Sequence, residues 1–445
     1  MKKNLRLYEA LIKYKELNMS SFHTPGHKNK CKILKKLWDL DFTELDATDS
    51  LFESKNVILN AERNASRVFK SLKTLFSAGG CTLCIQAMLR LSSYSGQKII
   101  CSRILHKSAI NTMAILNLEP VFLKQNRNKI TGFFDPVNPS DVRKMLELHS
   151  NVGAVYITSP DYFGVISDIK KISEICKIYD VPLIVDNAHG SHLAFLKEDL
   201  HPLHLGADMT ADSLHKTLPV LTGGALLHIN NEKFVKSAKS AMALFGSTSP
   251  SYPIMASLDL CSDFIDDNLK QKYEYLIEKL KPIKSIIKEK EFLTPNGSVD
   301  PTRISLNLKS VGSTGYECAE FLKKFGVEPE LYTEDFLVLI STPFNTDEDF
   351  LRLKNAISEF KPLNKKKTSV YDFFEKAINL KMSLNEAILR DFETIDIKKA
   401  ENKISAGTVC PCPPGIPILM PGEIISKEHI KYLLKCGILF VEVIK

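Results

Sequence analysis

From residue 98 onward the chain alternates short apolar runs with amphipathic stretches, and no other feature restricts its fold so tightly. Lys98-Ile-Ile-Cys101, Pro120-Val-Phe-Leu123, Gly153-Ala-Val-Tyr-Ile157 and Pro182-Leu-Ile-Val185 read as buried strands. Continuous apolar runs, rather than alternating ones, are expected where both faces of a sheet are covered. Between them, Ile169, Ile172, Ile175, Cys176 and Tyr179 recur at helical spacing, and Ser140 and Ser167 stand where N-caps belong. The alternation predicts a mostly parallel sheet with ligands at the carboxyl ends of its strands. His106, Asp186 and Lys216 each fall just after such a run.

Lys216 lies at the centre of Ala211-Asp-Ser-Leu-His-Lys-Thr-Leu218, ahead of Thr222-Gly-Gly-Ala-Leu-Leu-His228. A lysine that bonds covalently to a carbonyl needs a neutral amine, obtained by burial or a nearby cation. Ser213 and His215 are polar neighbours of the kind a phosphate-bearing aldehyde would use. About thirty residues upstream, Asp186 closes an apolar run and is followed by Asn187-Ala-His-Gly-Ser-His192. An acid ending one strand and a lysine ending a later one suggest pyridoxal phosphate: Asp186 would keep the ring nitrogen protonated and Lys216 would carry the aldehyde. By spacing alone, a Ser-Leu-His-Lys run is more often a surface turn. Gly79-Gly-Cys-Thr82, opening the apolar helix Leu83 to Leu91, adds a turn whose free N–H groups and helix dipole favour an anion. Neither the dinucleotide glycine pattern nor the P-loop pattern is present.

The remaining segments fill in the organisation. Leu5, Tyr8, Leu11, Ile12 and Leu17 predict a helix over residues 1 to about 20. Phe22-His-Thr-Pro-Gly-His-Lys28 follows as a turn carrying two imidazoles, suited to delivery into a cleft. Acids Asp41, Glu44 and Asp49 precede a helix expected from Ile58 to Thr74. A hydroxyl-rich loop, Phe245 to Tyr252, leads to a helix through Leu260 and a charged one from Ser262 to Lys290. Strands at Arg303–Leu308 and Phe336–Ile340, with helices at Tyr316–Phe325 and Asp347–Phe360, predict a second domain. A polar linker at Lys361–Thr368 precedes a C-terminal unit whose proline-dense Cys410–Glu423 stretch must be a fixed loop.

At 445 residues the chain is too long for one core, and a net charge of +7 with scattered lysines gives no nucleic-acid footprint. The ten cysteines complete no zinc spacing, so no metal is expected, and Cys81, Cys84 and Cys101 lie in apolar surroundings typical of reduced thiols. No apolar run approaches the roughly 20 residues of a membrane span, and no signal sequence opens the chain. A cytoplasmic protein without a membrane partner is expected.

Taken together, His23-Thr-Pro-Gly-His-Lys28, Asp186-x-Ala-His-Gly190, Ser213-x-His-Lys216, Ser247-Thr-Ser-Pro-Ser-Tyr252 and Pro413-Pro-Gly-Ile-Pro-x-x-x-Pro-Gly-Glu423 resemble the ornithine/lysine/arginine decarboxylases, over nearly the whole chain. The resemblance implies an α/β fold: an aspartate-aminotransferase-like large domain with a mostly parallel sheet at 1–260, a smaller α/β domain at 261–362 and a C-terminal α+β unit at 363–445. It implies the short form, without the N-terminal wing of some members. It also implies decarboxylation of lysine, arginine or ornithine with pyridoxal 5'-phosphate, in the service of polyamine synthesis.

By the same resemblance, Lys216 carries the cofactor, Asp186 partners its ring nitrogen, Ala188 packs under the ring and His106 stacks on its other face. Gly80, Cys81, Thr82, Ser213 and His215 flank the phosphate. Ser247 and Thr248 are donated by a neighbouring subunit, which implies a homodimer or higher homo-oligomer with shared sites. His23, His27 and Glu423, with Asp49 and Glu44, are the candidates to meet the substrate, while His189 and His192 are as readily structural. Two positions depart from the family: Asn187 where a glutamate is frequent, and Cys81 where a hydroxyl is usual, a poorer phosphate donor. The competing expectations are an aminotransferase or lyase of the same fold, in which Arg303 would clamp the α-carboxylate, and a silent paralogue.

Overall fold

The apolar runs become strands because each is sealed between helices. The computed structural model describes residues 6–17, 39–265, 267–362, 378–411 and 416–445. In chain order the first half carries α1 (Leu7–Glu16), α2 (Val57–Val68), β1 (Lys73–Ser77), α3 (Gly80–Ser92), β2 (Lys98–Ser102), α4 (Lys107–Ile115), β3 (Glu119–Leu123), α5 (Pro139–Leu148), β4 (Val152–Thr158), α6 (Ile169–Ile178) and β5 (Leu183–Asp186). It continues with β6 (Met209–Asp212), β7 (Ala225–Ile229), α7 (Glu232–Val235), α8 (Ala238–Ala243), α9 (Tyr252–Phe264) and α10 (Asp267–Glu289). The remainder holds β8 (Arg303–Asn307), α11 (Gly315–Lys324), β9 (Leu331–Tyr332), β10 (Phe336–Ile340), α12 (Asp347–Glu359), α13 (Leu384–Leu389), β11 (Phe392–Asp396), α14 (Lys427–Lys435) and β12 (Phe440–Ile444).

Two compact units divide the chain. The first comprises the described residues up to Ser92 together with Ile184–Lys270. Its strands run in the order β1-β7-β6-β5. The pair β5–β6 is parallel, with Asp186 opposite Ala211, and β7 runs antiparallel to both β1 and β6. α3 packs on β6 and β7, with Leu83, Cys84, Ile85, Ala87 and Met88 buried.

The second unit, Ser93–Leu183 with Gln271–Lys445, holds β4-β2-β3, all parallel. It also carries an antiparallel sheet, β8-β10-β9, and a β11–β12 pair closed by α14 over Ile397, Leu419, Leu433 and Val443. α11 and α12 start on capping boxes, Thr314 with Glu317 and Thr346 with Asp349.

The sequence expectations are corrected in several places. The helix expected through Thr74 stops at Val68; Lys70 turns at φ +49°, and Lys73–Ser77 is a strand, recruited by pairing with β7. Ser140 and Ser167 are not N-caps. Asn138 caps α5 because Pro139 takes the first helical position, where no N–H is needed, and Asp168 caps α6 by accepting from Lys171 N–H. The charged helix is broken at Ile265, so α9 and α10 are separate. The Asp49 carboxylate accepts the N–H groups of Ser50, Lys55, Asn56 and Ile58 and so caps the start of α2.

Candidate active site

The first unit brings its reactive groups together at the carboxyl ends of β5 and β6. β6 ends at Asp212, and one turn of 3-10 helix, Leu214–Lys216, carries the chain away. That turn is pinned by Lys216 N–H to Ser213 C=O at 3.1 Å and Thr217 N–H to Leu214 C=O at 3.1 Å. The half-buried Lys216 places Nζ 3.0 Å from Nε2 of the buried His189. Asp186 closes β5, is 2% exposed, and its Oδ1 accepts from Ala188 N–H at 3.1 Å. Because these strands are parallel and in register, Asp186 and the Lys216 turn leave the sheet at one edge.

The glycine turn forms the neighbouring wall. Ser77 Oγ bridges it, donating to Gly80 C=O and accepting from Gly79 N–H. Gly80 sits at φ +66° and donates its N–H to Gly223 C=O, and a side chain there would meet no atom within 4 Å. The first N–H groups of a helix have no partners within it, so α3 opens toward unfilled space with donors at its start. Thr82 is exposed on this first turn. His215 Nδ1 lies 3.3 Å from Ser213 Oγ and 3.2 Å from Gly224 C=O, which ties the lysine turn to the glycines facing α3. Burial drives the Cys81 thiol well above its ordinary range; Cys84, Asp186 and Asp212 add to this while Lys216 opposes it. Cys81 therefore shares one region with the acid and the lysine, and is a neutral thiol there.

Gly80, Cys81, Asp186, Ala188, Ser213, His215 and Lys216 thus all belong to one edge of the first unit. His189 joins them by contact, the alternative that sequence left even. Ser247 and Thr248 are exposed beyond α8, where Ser247 Oγ accepts from Ser249 N–H. In the second unit His106 caps α4, its Nδ1 accepting from Ser108 N–H at 3.2 Å. Glu423, also there, is 3% exposed; its carboxylate accepts from Met420 N–H and stands 3.5 Å from His429 Nε2 and 3.9 Å from Arg103 Nη1. Arg303 is 2% exposed, donating to Tyr162 C=O and standing 3.6 Å from Asp300. His23 and His27 lie outside the described residues.

A parallel α/β sheet presenting a lysine and a buried acid at adjoining strand ends, with a glycine turn into a helix beside them, defines the class of enzymes that use a lysine-held carbonyl cofactor. The sequence profile described as Orn/Lys/Arg decarboxylase, major domain, matches residues 6–303, and the C-terminal domain of the same family matches 363–438. The chain belongs to the Orn/Lys/Arg decarboxylase family, and it is an amino-acid decarboxylase. It is 29% identical to the arginine decarboxylase of Bacillus subtilis, covering 96% of this chain and 93% of that one. It is 22% identical to the constitutive lysine decarboxylase of Escherichia coli, covering 94% of this chain and 75% of that one. The crystal structure of the Francisella novicida lysine decarboxylase superposes with a TM-score of 0.81 at 18% identity, over 100% of this chain and 82% of that one, so the fold is the same. Among the described residues no helix is long and apolar enough to cross a membrane.

Proposed function

We propose that the protein decarboxylates a basic amino acid, arginine first, with pyridoxal phosphate held at Lys216. The observation that carries this reading is the Lys216–His189 contact at the strand edge closed by Asp186. Arginine is favoured because the B. subtilis relative, named arginine decarboxylase, aligns over nearly the full length of both chains. The residues present fit the cofactor. Asp186 offers a buried carboxylate for a protonated ring nitrogen, Ala188 a small apolar surface, and the open start of α3 with Ser213 and His215 offers donors for a phosphate. When bound, pyridoxal phosphate supplies an aldehyde that takes up the amino acid and a ring that accepts the electron pair of the bond being broken.

The chain's own residues supply the rest. Lys216 must release its proton before it can act as a nucleophile, and His189 Nε2, 3.0 Å away, is placed to take it. Loss of the α-carboxylate as carbon dioxide leaves a place on Cα that a proton must fill. Lys216, recharged through His189, returns one proton there, so the product is the amine. Asp186 would face the positive ring nitrogen and stabilise it. We assign the exposed Ser247 and Thr248 to a homodimer contact that completes the neighbouring site.

Incubation of the purified, cofactor-loaded protein with arginine, lysine and ornithine tests the reading. Carbon dioxide and amine should form in equal amounts, fastest from arginine. Amino transfer to a 2-oxoacid without carbon dioxide would instead favour the aminotransferase. In that case a clamp other than Arg303 would be needed, since Arg303 is engaged with Tyr162 and Asp300.

A further inference from the structure

Behind the lysine edge of the first unit lies a buried polar cluster that the reaction as described does not use. Asp212 is fully buried, and Oδ1 accepts from Thr210 Oγ1 at 2.8 Å. Oδ2 accepts from Asn187 Nδ2 at 2.7 Å and lies 2.8 Å from His201 Nε2. The tautomer of His201 follows from its other nitrogen. Nδ1 accepts from Leu203 N–H at 3.3 Å, so Nε2 is the nitrogen left to donate to Asp212. Asp212 is thus held by Thr210, Asn187 and His201, and among the described residues no lysine or arginine lies within ion-pairing distance of it. Burial opposes its charge, but His201, with His228 and the Thr210 hydroxyl, outweighs that and keeps the carboxyl below its ordinary range.

The positions of the two clamped residues give the cluster its meaning. Asn187 directly follows Asp186, and Asp212 directly precedes the Ser213–Lys216 turn. The Asn187–Asp212 bond, with Asn187 N–H donating to Ala211 C=O at 3.0 Å, therefore ties together the two strand ends that present the acid and the lysine. Asn187 Oδ1 is left buried without a partner, a cost that a purely structural amide would avoid by turning outward. Resting on the cofactor reading above, we propose that Asp212 is a positioning residue of the Lys216 site. Clamped by Asn187 and His201, it fixes the two strand ends against each other and adds a second buried negative charge beside Asp186.

Among the titratable groups around Asp212, His204 lies 5.2 Å ring to ring from His201. Burial opposes its charge, but the Asp199 carboxylate and the Phe69 carbonyl hold its pKa above the ordinary imidazole value, so the titration is read as the difference between variant and wild type, both of which carry His204. Burial pushes His228 down to about 3 and raises the thiols of Cys81 and Cys84. A negative charge favours protonation of the cationic groups it faces, so removing it should release their proton at lower pH. The test is the pH titration of the visible band of the bound cofactor, with cofactor affinity and melting temperature measured alongside. Asp212→Asn is expected to lower the titration midpoint by about one pH unit and weaken cofactor binding about tenfold. Asn187→Ala, which keeps the carboxylate but loosens its clamp, is expected to move both in the same direction by less, and it decides the matter should Asp212→Asn not fold. Variants that melt earlier yet keep the wild-type midpoint and affinity would overturn the proposal and leave the cofactor reading intact. A wild-type protein that binds no pyridoxal phosphate would instead overturn that reading, and this proposal with it.

Discussion

Glu423 and Asp212 are both buried carboxylates beside a histidine, one in each unit, yet they are balanced in different ways. Glu423 faces a cation, Arg103, whose guanidinium also donates to Ile418 C=O at 2.8 Å. Asp212 is held by Thr210, Asn187 and His201, with no lysine or arginine partner among the described residues. A compensated buried pair is self-contained: breaking it harms the fold, and its field is small a short distance away. A carboxylate without a lysine or arginine partner is less fully compensated, so more of its field reaches the charged chemistry beside it. The contrast separates a carboxylate that holds the C-terminal segment in place from one that conditions a reactive edge.

The largest effect expected is on the compensated side. Glu423→Gln strands the Arg103 charge and should cost about 3 kcal/mol of stability in denaturant unfolding. Cofactor already bound should keep its wild-type titration midpoint. An altered midpoint without loss of stability would erase the distinction between the two acids and return Glu423 to the substrate site.

Asp161, just beyond β4, sharpens the comparison as an intermediate case. Oδ1 accepts from Phe163 and Val165 N–H, and Oδ2 is buried without a partner among the described residues. Burial raises its pKa from 3.8 to about 6, although the backbone donors and Arg303 pull the other way. The folded state therefore keeps this proton longer than the unfolded chain does. The stabilisation is complete below pH about 4 and is lost as pH climbs through about 6. Asp161→Asn should remove that loss, leaving the variant more stable than wild type at pH 7.5 by about 2 kcal/mol, with no gain at pH 4. Equal stability differences at both values would show that Arg303 already compensates Asp161.

The same contrast explains what could be read from the amino-acid order. Strands β2 to β5 and the buried face of α6 were legible because continuous apolar runs and helical spacing are local signals. Strand β1 was not, since Lys73-Thr-Leu-Phe-Ser becomes a strand only by pairing with β7, more than 140 residues away. Asp186 and Lys216 could be found because each ends an apolar run. His189 could be paired with Lys216 only once the β5 and β6 ends were adjacent. The role of Asp212 was hidden because His201, its partner, lies in a loop with no periodic signal. The capping role of Asp49 was hidden for a related reason: a cap carboxylate and a substrate carboxylate are the same letter, and only the fold shows the four N–H groups around it.

The central claim is that the ε-amino group of Lys216 is the one that takes the cofactor. Loading the protein with pyridoxal phosphate, reducing it with borohydride and mapping the modified peptide by mass spectrometry tests this most directly. The pyridoxyl group should appear on the peptide containing Ser213-Leu-His-Lys216, and Lys216→Ala should show neither the label nor the visible band. A label on another lysine, or a band that survives Lys216→Ala, would contradict the account.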